Sequence, residues 1–150
     1  MLQVDALRGT PTSLISRTAT HRKTLIEISD QTFYAIIMPW MKKNQLEDFA
    51  GEFLSTLSLS LRSDGFQDHH LEFLTDGQIH YGKTHDRQVL GIINEAINHI
   101  RYHVESRGGW EHVSIVGLTK EINRTPWLAG TRKCVFPIEK ITNNLKSLLH

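Results

Sequence analysis

A chain of 150 residues, 39% apolar and 22% charged, is sized for one domain with its own packed core and excludes wholesale disorder. Lys and Arg number 17 against 16 Asp and Glu, a formal charge of +1, so no general attraction to nucleic acid or to an anionic membrane is expected. Cys134 is the one cysteine. It excludes an internal disulfide and a Cys-based zinc site, and it favours a reducing, cytoplasmic compartment. Apolar runs such as Ala35 to Met38 are far too short to span a membrane. Arg8, Arg17 and Arg22 among Ser and Thr faintly resemble a transit peptide, but Asp5 and Pro11 interrupt any amphipathic helix there.

Residues 1–22 hold a turn signal at Gly9-Thr10-Pro11 and otherwise leave their structure open. Lys23 to Ser29 and Thr32 to Met38 are β-branched and aromatic runs separated by Asp30-Gln31, which predicts a β-hairpin with Leu25 and Phe33 facing the core. Met38-Pro39-Trp40 is expected to end its second strand, because proline cannot extend a ladder. Asn44 is the expected start of a helix, with Glu47 as its capping-box partner. Leu46, Phe49, Ala50, Phe53, Leu54, Leu57 and Leu61 give that helix one apolar stripe, and Asp64-Gly65 stops it.

A short element around Leu71 to Leu74 follows, and Gln78 to Thr84 alternates as a third strand would. Asp86 is placed to cap the longest helix, which is predicted to run to about Ser106 and end at Gly108-Gly109. Val89, Ile93, Ala96, Ile97, Ile100 and Val104 line one side of it. A shorter helix spans Ile115 to Arg124 with Leu118 and Ile122 inward, ending before Thr125-Pro126. Pro137 opens a last helix carrying Ile138, Ile141, Leu145 and Leu148. The expected fold is a single α+β domain: one small antiparallel sheet of three to four strands, with about four helices packed on one face.

Gly77-Gln78-Ile79-His80-Tyr81-Gly82-Lys83-Thr84 has the spacing of a phosphate-binding loop. In such a loop backbone amides cradle phosphate, the lysine neutralises it and the threonine helps hold Mg²⁺. The bulky, strand-like interior Ile79-His80-Tyr81 and the charged Glu72 upstream argue against it, as does the shortness of the chain after Thr84. Glu95, His99 and His103 fall at i, i+4 and i+8 on one edge of the long helix. The two histidines are weak metal candidates, with boundary packing as the ordinary reading.

Lys83, Thr84 and Arg87 gather where a strand meets a helix N-terminus, which suits an anion; capping by Asp86 among solvated basic residues is the plainer reading. Arg124, in Asn123-Arg124-Thr125-Pro126, is suited to a ligand carboxylate or phosphate. It is equally suited to the last helix carbonyls and a buried acid. No nucleophile stands out, and Cys134 reads as an inert thiol. Trp40, Trp110 and Trp127 read as core or interface anchors.

From the hairpin onward the chain resembles a family of small bacterial domains of unknown function. The matching stretches are Thr32-Phe33-Tyr34-Ala35-Ile36-Ile37-Met38-Pro39 leading into Lys42-Lys43, then Asp86-Arg87-Gln88-Val89-Leu90-Gly91-Ile92-Ile93-Asn94-Glu95, Asn123-Arg124-Thr125-Pro126 and Pro137-Ile138-Glu139. The resemblance implies an intracellular prokaryotic protein, often encoded beside mobile elements, and it implies no activity, cofactor or catalytic residue.

The function expected on these grounds is a non-enzymatic binding module for a protein partner or a small anionic ligand. Its contact candidates are Lys83, Thr84, Arg87, Asn94, Asn98, Asn123 and Arg124. The rival is a nucleotide-binding enzyme built on Gly77 to Thr84, which needs a parallel sheet around that loop. A nucleic-acid-binding accessory role would need a basic patch assembled from Arg17, Arg22, Lys23, Arg132 and Lys133. An exposed edge strand or a Trp-bearing surface would be the place for a second copy of the chain.

Overall fold

The computed structural model describes residues 12–17, 23–29, 31–71, 87–129 and 133–148. The hairpin is its centre. Strand β2 (Lys23–Ile28) pairs antiparallel with β3 (Ala35–Met41), and β1 (Thr12–Arg17) pairs antiparallel with β2 on its other side, in the order β1-β2-β3. The connecting turn is closed by Ser29, whose carbonyl accepts from the Phe33 N–H and whose own N–H donates to the Tyr34 carbonyl. Phe33 takes φ +58° to complete the reversal.

Strand β3 continues past the expected stop at Met38. Among the described residues β3 is an edge strand, so the missing N–H of Pro39 breaks no ladder bond there. The register shifts between Lys23 and Leu25, and Trp40 opposite this irregularity adopts φ +57°. The local extra residue changes which face the side chains reach, so Met41 returns to the core while Trp40 stays 37% exposed.

Helix α1 (Lys43–Glu47) begins one residue before the expected Asn44. Gln45, rather than Glu47, closes its first turn, its Oε1 accepting from the Lys42 N–H at 2.9 Å. A break at Asp48 separates it from α2 (Phe49–Ser63), which buries Phe53, Leu57 and Leu61 and ends at Gly65 with φ +95°. A 3₁₀ turn over Asp68–His70 carries the chain to the buried Leu71. Helix α3 (Arg87–Ser106) buries Val89, Ile93, Ala96, Ile97 and Ile100 of the expected stripe and Ile92 beside it, while Val104 is partly buried and the expected Asp86 cap lies outside the described residues.

Helix α4 (Ile115–Arg124) is capped by Ser114, whose Oγ accepts from the Gly117 N–H at 3.1 Å. Strands β4 (Trp127–Ala129) and β5 (Lys133–Val135) form a second antiparallel sheet of their own. They had no strand signal strong enough to be expected: each is three residues long, below the length at which alternation shows. Helix α5 (Pro137–Leu148) buries Ile141 and Leu145.

The α+β class stands. The expected strand Gln78–Thr84 lies outside the described residues, and the described strands do not form one sheet but a three-stranded and a two-stranded one. Nor do the helices share one face. Leu25, Tyr34, Ile36 and Met38 pack against α2 and α5. Ile26, Ile28, Ala35 and Ile37, the alternate positions, pack against α3, α4 and Trp127. Both faces of the hairpin are therefore covered, which explains why Thr24–Ile28 and Thr32–Met38 are buried without a break.

One side chain closes the strand edge beside α4. Asn123 is fully buried; its Oδ1 accepts from the Ala35 N–H at 2.6 Å and its Nδ2 donates to the Ala35 carbonyl at 2.7 Å. It thereby replaces a missing neighbouring strand at one residue. Asn123→Ala leaves two buried backbone groups unpaired, and denaturant unfolding should show a loss of about 2–4 kcal/mol. Asn123→Asp keeps only the acceptor and should be destabilised as well.

Candidate functional site

The alternation of the β2–β3 ladder decides which backbone groups are free. Ala35 directs its N–H and C=O away from β2, toward Asn123. Ile36, opposite Glu27, therefore points its pair inward, and Ile37, opposite Ile26, points its own outward again. Among the described residues no side chain takes up the Ile37 pair.

That edge is the floor of a cleft of about 270 Å³. Ile37, Met38 and Pro39 form the floor, Glu52, Thr56, Leu59 and Ser60 of α2 one wall, and Ile115, Val116, Thr119 and Lys120 of α4 the other. Leu59 is 63% exposed and Val116 57% exposed, so the walls present apolar side chains to solvent.

A polar network at the ends of the same helices ties these walls together. Arg124 Nη1 donates to Asp64 Oδ1 at 2.8 Å and to the Lys120 carbonyl at 3.2 Å. The Asp64 carboxylate is 1% exposed, and its Oδ2 accepts from the Tyr34 hydroxyl. The Tyr34 oxygen also lies 2.8 Å from Ser60 Oγ. Burial, reinforced by the hydrogen bond to Asp64, pushes the Tyr34 phenol far above its ordinary range. The network joins α2 and α4 to Tyr34, the residue that leads into β3.

The sequence-derived candidates separate in the structure. Lys83 and Thr84, with the whole Gly77–Thr84 string, lie outside the described residues; every described strand pair is antiparallel. Arg87, Asn94 and Asn98 are exposed along α3. Asn123 and Arg124 are adjacent in sequence but serve different elements, one holding β3 and the other α2. Arg124 meets both of its structural partners, a buried acid and a late helix carbonyl.

His99 and His103 remain together, but their acidic neighbour is Glu121 of α4, while Glu95 is exposed. Cys134 is exposed. Trp127 is buried, and Trp40 and Trp110 meet edge-on at 6.3 Å between centroids. Of the basic-patch candidates Lys133 is exposed; Arg22 and Arg132, and the side chains of Arg17 and Lys23, lie outside the described residues. Asp64, Tyr34, Ser60 and Glu121 were not singled out from the sequence. Each owes its role to a partner eighteen or more residues away, and the sequence marked only two of them, Asp64 as part of a helix stop and Tyr34 within a stretch shared with the resembled family.

These features define a small α+β domain with helices on both faces of an antiparallel sheet and a cleft along the β3 edge that no other described strand pairs. Residues 17–140 match the family described as Domain of unknown function (DUF6933), and the chain belongs to that family. No curated protein and no solved structure matches it. No helix among the described residues is long and apolar enough to cross a membrane.

The buried phenol has a measurable consequence. An unfolded tyrosine ionises near pH 10, whereas folded Tyr34 does not. Above that pH the unfolded state binds fewer protons, so stability is constant below pH 10 and falls above it, by about 1.4 kcal/mol per pH unit for this one group. The stabilities of the wild type and Tyr34→Phe, from unfolding curves between pH 8 and 11, should run parallel up to about pH 10 and diverge by that slope above it.

Proposed function

We propose that this domain is a non-enzymatic interaction module that holds one extended peptide segment along the free edge of β3, between α2 and α4. The observation that carries this reading is the outward N–H and C=O pair of Ile37 on the floor of the cleft. An edge strand with unpaired backbone is a template for another strand, and an added strand gains main-chain hydrogen bonds while neighbouring pockets read its side chains. Asn123 fills the adjacent Ala35 pair, and Pro39 removes the next outward donor, so the docking register is confined to Ile37.

Leu59 and Val116 favour an apolar residue in the guest, while Glu52 and Lys120 offer charges of either sign at the rim. The flanking helices favour a single segment over the edge of a second copy's sheet, which would bring helices of its own.

Selection from a displayed library of short linear peptides tests this. A selected binder should slow hydrogen exchange at the Ile37 amide. N-methylation of the one peptide residue facing Ile37 should weaken it by about tenfold or more, some 1.4 kcal/mol. Leu59→Glu and Val116→Glu should weaken it as well while leaving the melting temperature near the wild-type value, since both side chains are exposed. Binders that protect other amides, or that tolerate N-methylation at every position, would overturn the proposal.

A further inference from the structure

We propose that His99, His103 and Glu121 form a zinc-binding site on the seam between α3 and α4, separate from the cleft. The two histidines are four residues apart on α3 and so lie one turn above the other. Their rings are tilted by 33° with centroids 4.6 Å apart. Helix α4 crosses α3 so that Glu121 faces both. Its Oε1 lies 2.8 Å from His103 Nε2 and 3.3 Å from His99 Nε2, and the three potential ligand atoms all fall within 4.8 Å of one another.

Two imidazole nitrogens and one carboxylate oxygen are a borderline donor set that suits Zn²⁺. Zinc bonds of about 2.0–2.1 Å place tetrahedral ligand atoms roughly 3.3–3.4 Å apart. The His99–Glu121 separation of 3.3 Å is at that spacing, and the His103–Glu121 separation of 2.8 Å has to open by about half an ångström for a dication to replace the shared hydrogen-bond protons. Helix α3 alone does not supply this set; the carboxylate comes from α4, twenty-two residues beyond His99.

The surroundings match a site that can be both entered and held. The side chains are 31%, 18% and 41% exposed for His99, His103 and Glu121, so the cluster is half-sheltered and reachable from solvent. Buried Trp127 sets its ring against His99, 6.5 Å between centroids and nearly perpendicular, which gives the cluster one apolar wall. The chain supplies three ligands, so a fourth, solvent-facing position is left to water or to a ligand atom from another molecule, as in open zinc sites. Zinc there also clamps α3 to α4, so its binding free energy adds to the stability of the fold.

The alternative is a pair of histidine–carboxylate hydrogen bonds with no affinity for metal, and zinc binding separates the two. Untagged full-length protein should bind Zn²⁺ one-to-one by calorimetry and unfold at a higher temperature in its presence. Co²⁺ in its place should give the visible absorption of a four-coordinate ion. His103→Gln and Glu121→Gln should each weaken zinc binding by at least about tenfold. His112→Gln, at an exposed histidine that meets Glu111 at 3.9 Å, should leave it unchanged.

In the wild type, Zn²⁺ should move the imidazole NMR signals of His99 and His103 alone, a readout that does not depend on any variant folding. No zinc-dependent stabilisation, undiminished binding by both variants, or movement of other imidazoles instead would overturn the site.

Discussion

A sheet buried on both faces must still dispose of its edge. In this domain the β2–β3 hairpin lies between α2 and α5 on one side and α3 and α4 on the other, so its apolar side chains are spent on both faces. What remains is the row of outward backbone groups along β3. An unpaired buried amide or carbonyl costs on the order of 1–3 kcal/mol, comparable to a whole side chain's worth of packing. The molecule meets this constraint at Ala35 with the Asn123 amide and at Pro39 by having no N–H to satisfy. Ile37 lies between them with its pair directed into the cleft.

The same constraint organises the helices. For Asn123 to reach Ala35, α4 must run close to the edge, and for α4 to stay there it must be tied to something rigid. Arg124 supplies the tie by meeting Asp64 at the end of α2, and Tyr34 of the hairpin shares that carboxylate. Half-exposed Arg124 keeps one side in water, while buried Asp64 has two donors, so the charge is compensated rather than stranded. The hairpin, α2 and α4 are thus locked where the edge needs cover, and the cleft lies along the part of β3 that Asn123 does not reach. On its other side α4 presents Glu121 to the histidines of α3, so one ten-residue helix serves the edge, the cleft and the metal-type cluster.

Local signals recovered the elements that are long or sharply punctuated. The apolar stripe of α3, the stop at Gly65, the span of α4 with its end before Thr125-Pro126, and the Pro137 start of α5 are all where periodicity and helix-stop chemistry put them. Errors fell where a distant partner decides. The stop expected at Pro39 rested on proline being unable to extend a ladder, whereas among the described residues β3 lies at the edge of its sheet and carries the chain past Pro39 with a bulge beside Trp40. Helices were expected on one face, although the unbroken runs Thr24–Ile28 and Thr32–Met38 are what a doubly covered strand looks like. A hairpin with a solvent side would alternate apolar with polar residues.

The sequence by itself determined the α+β class, the hairpin, the end of α3, the boundaries of α4, the start of α5, and the pairing of His99 with His103, because each depends on neighbours within about a turn or a strand length. It left Arg124 suspended between a ligand and a buried acid, and it offered Glu95 where Glu121 stands. Only the tertiary structure decided those matters, together with the Asn123 clamp and the open Ile37 edge. They depend on side chains brought together from 22, 60 and 88 residues apart, and no local periodicity records a contact across that much chain.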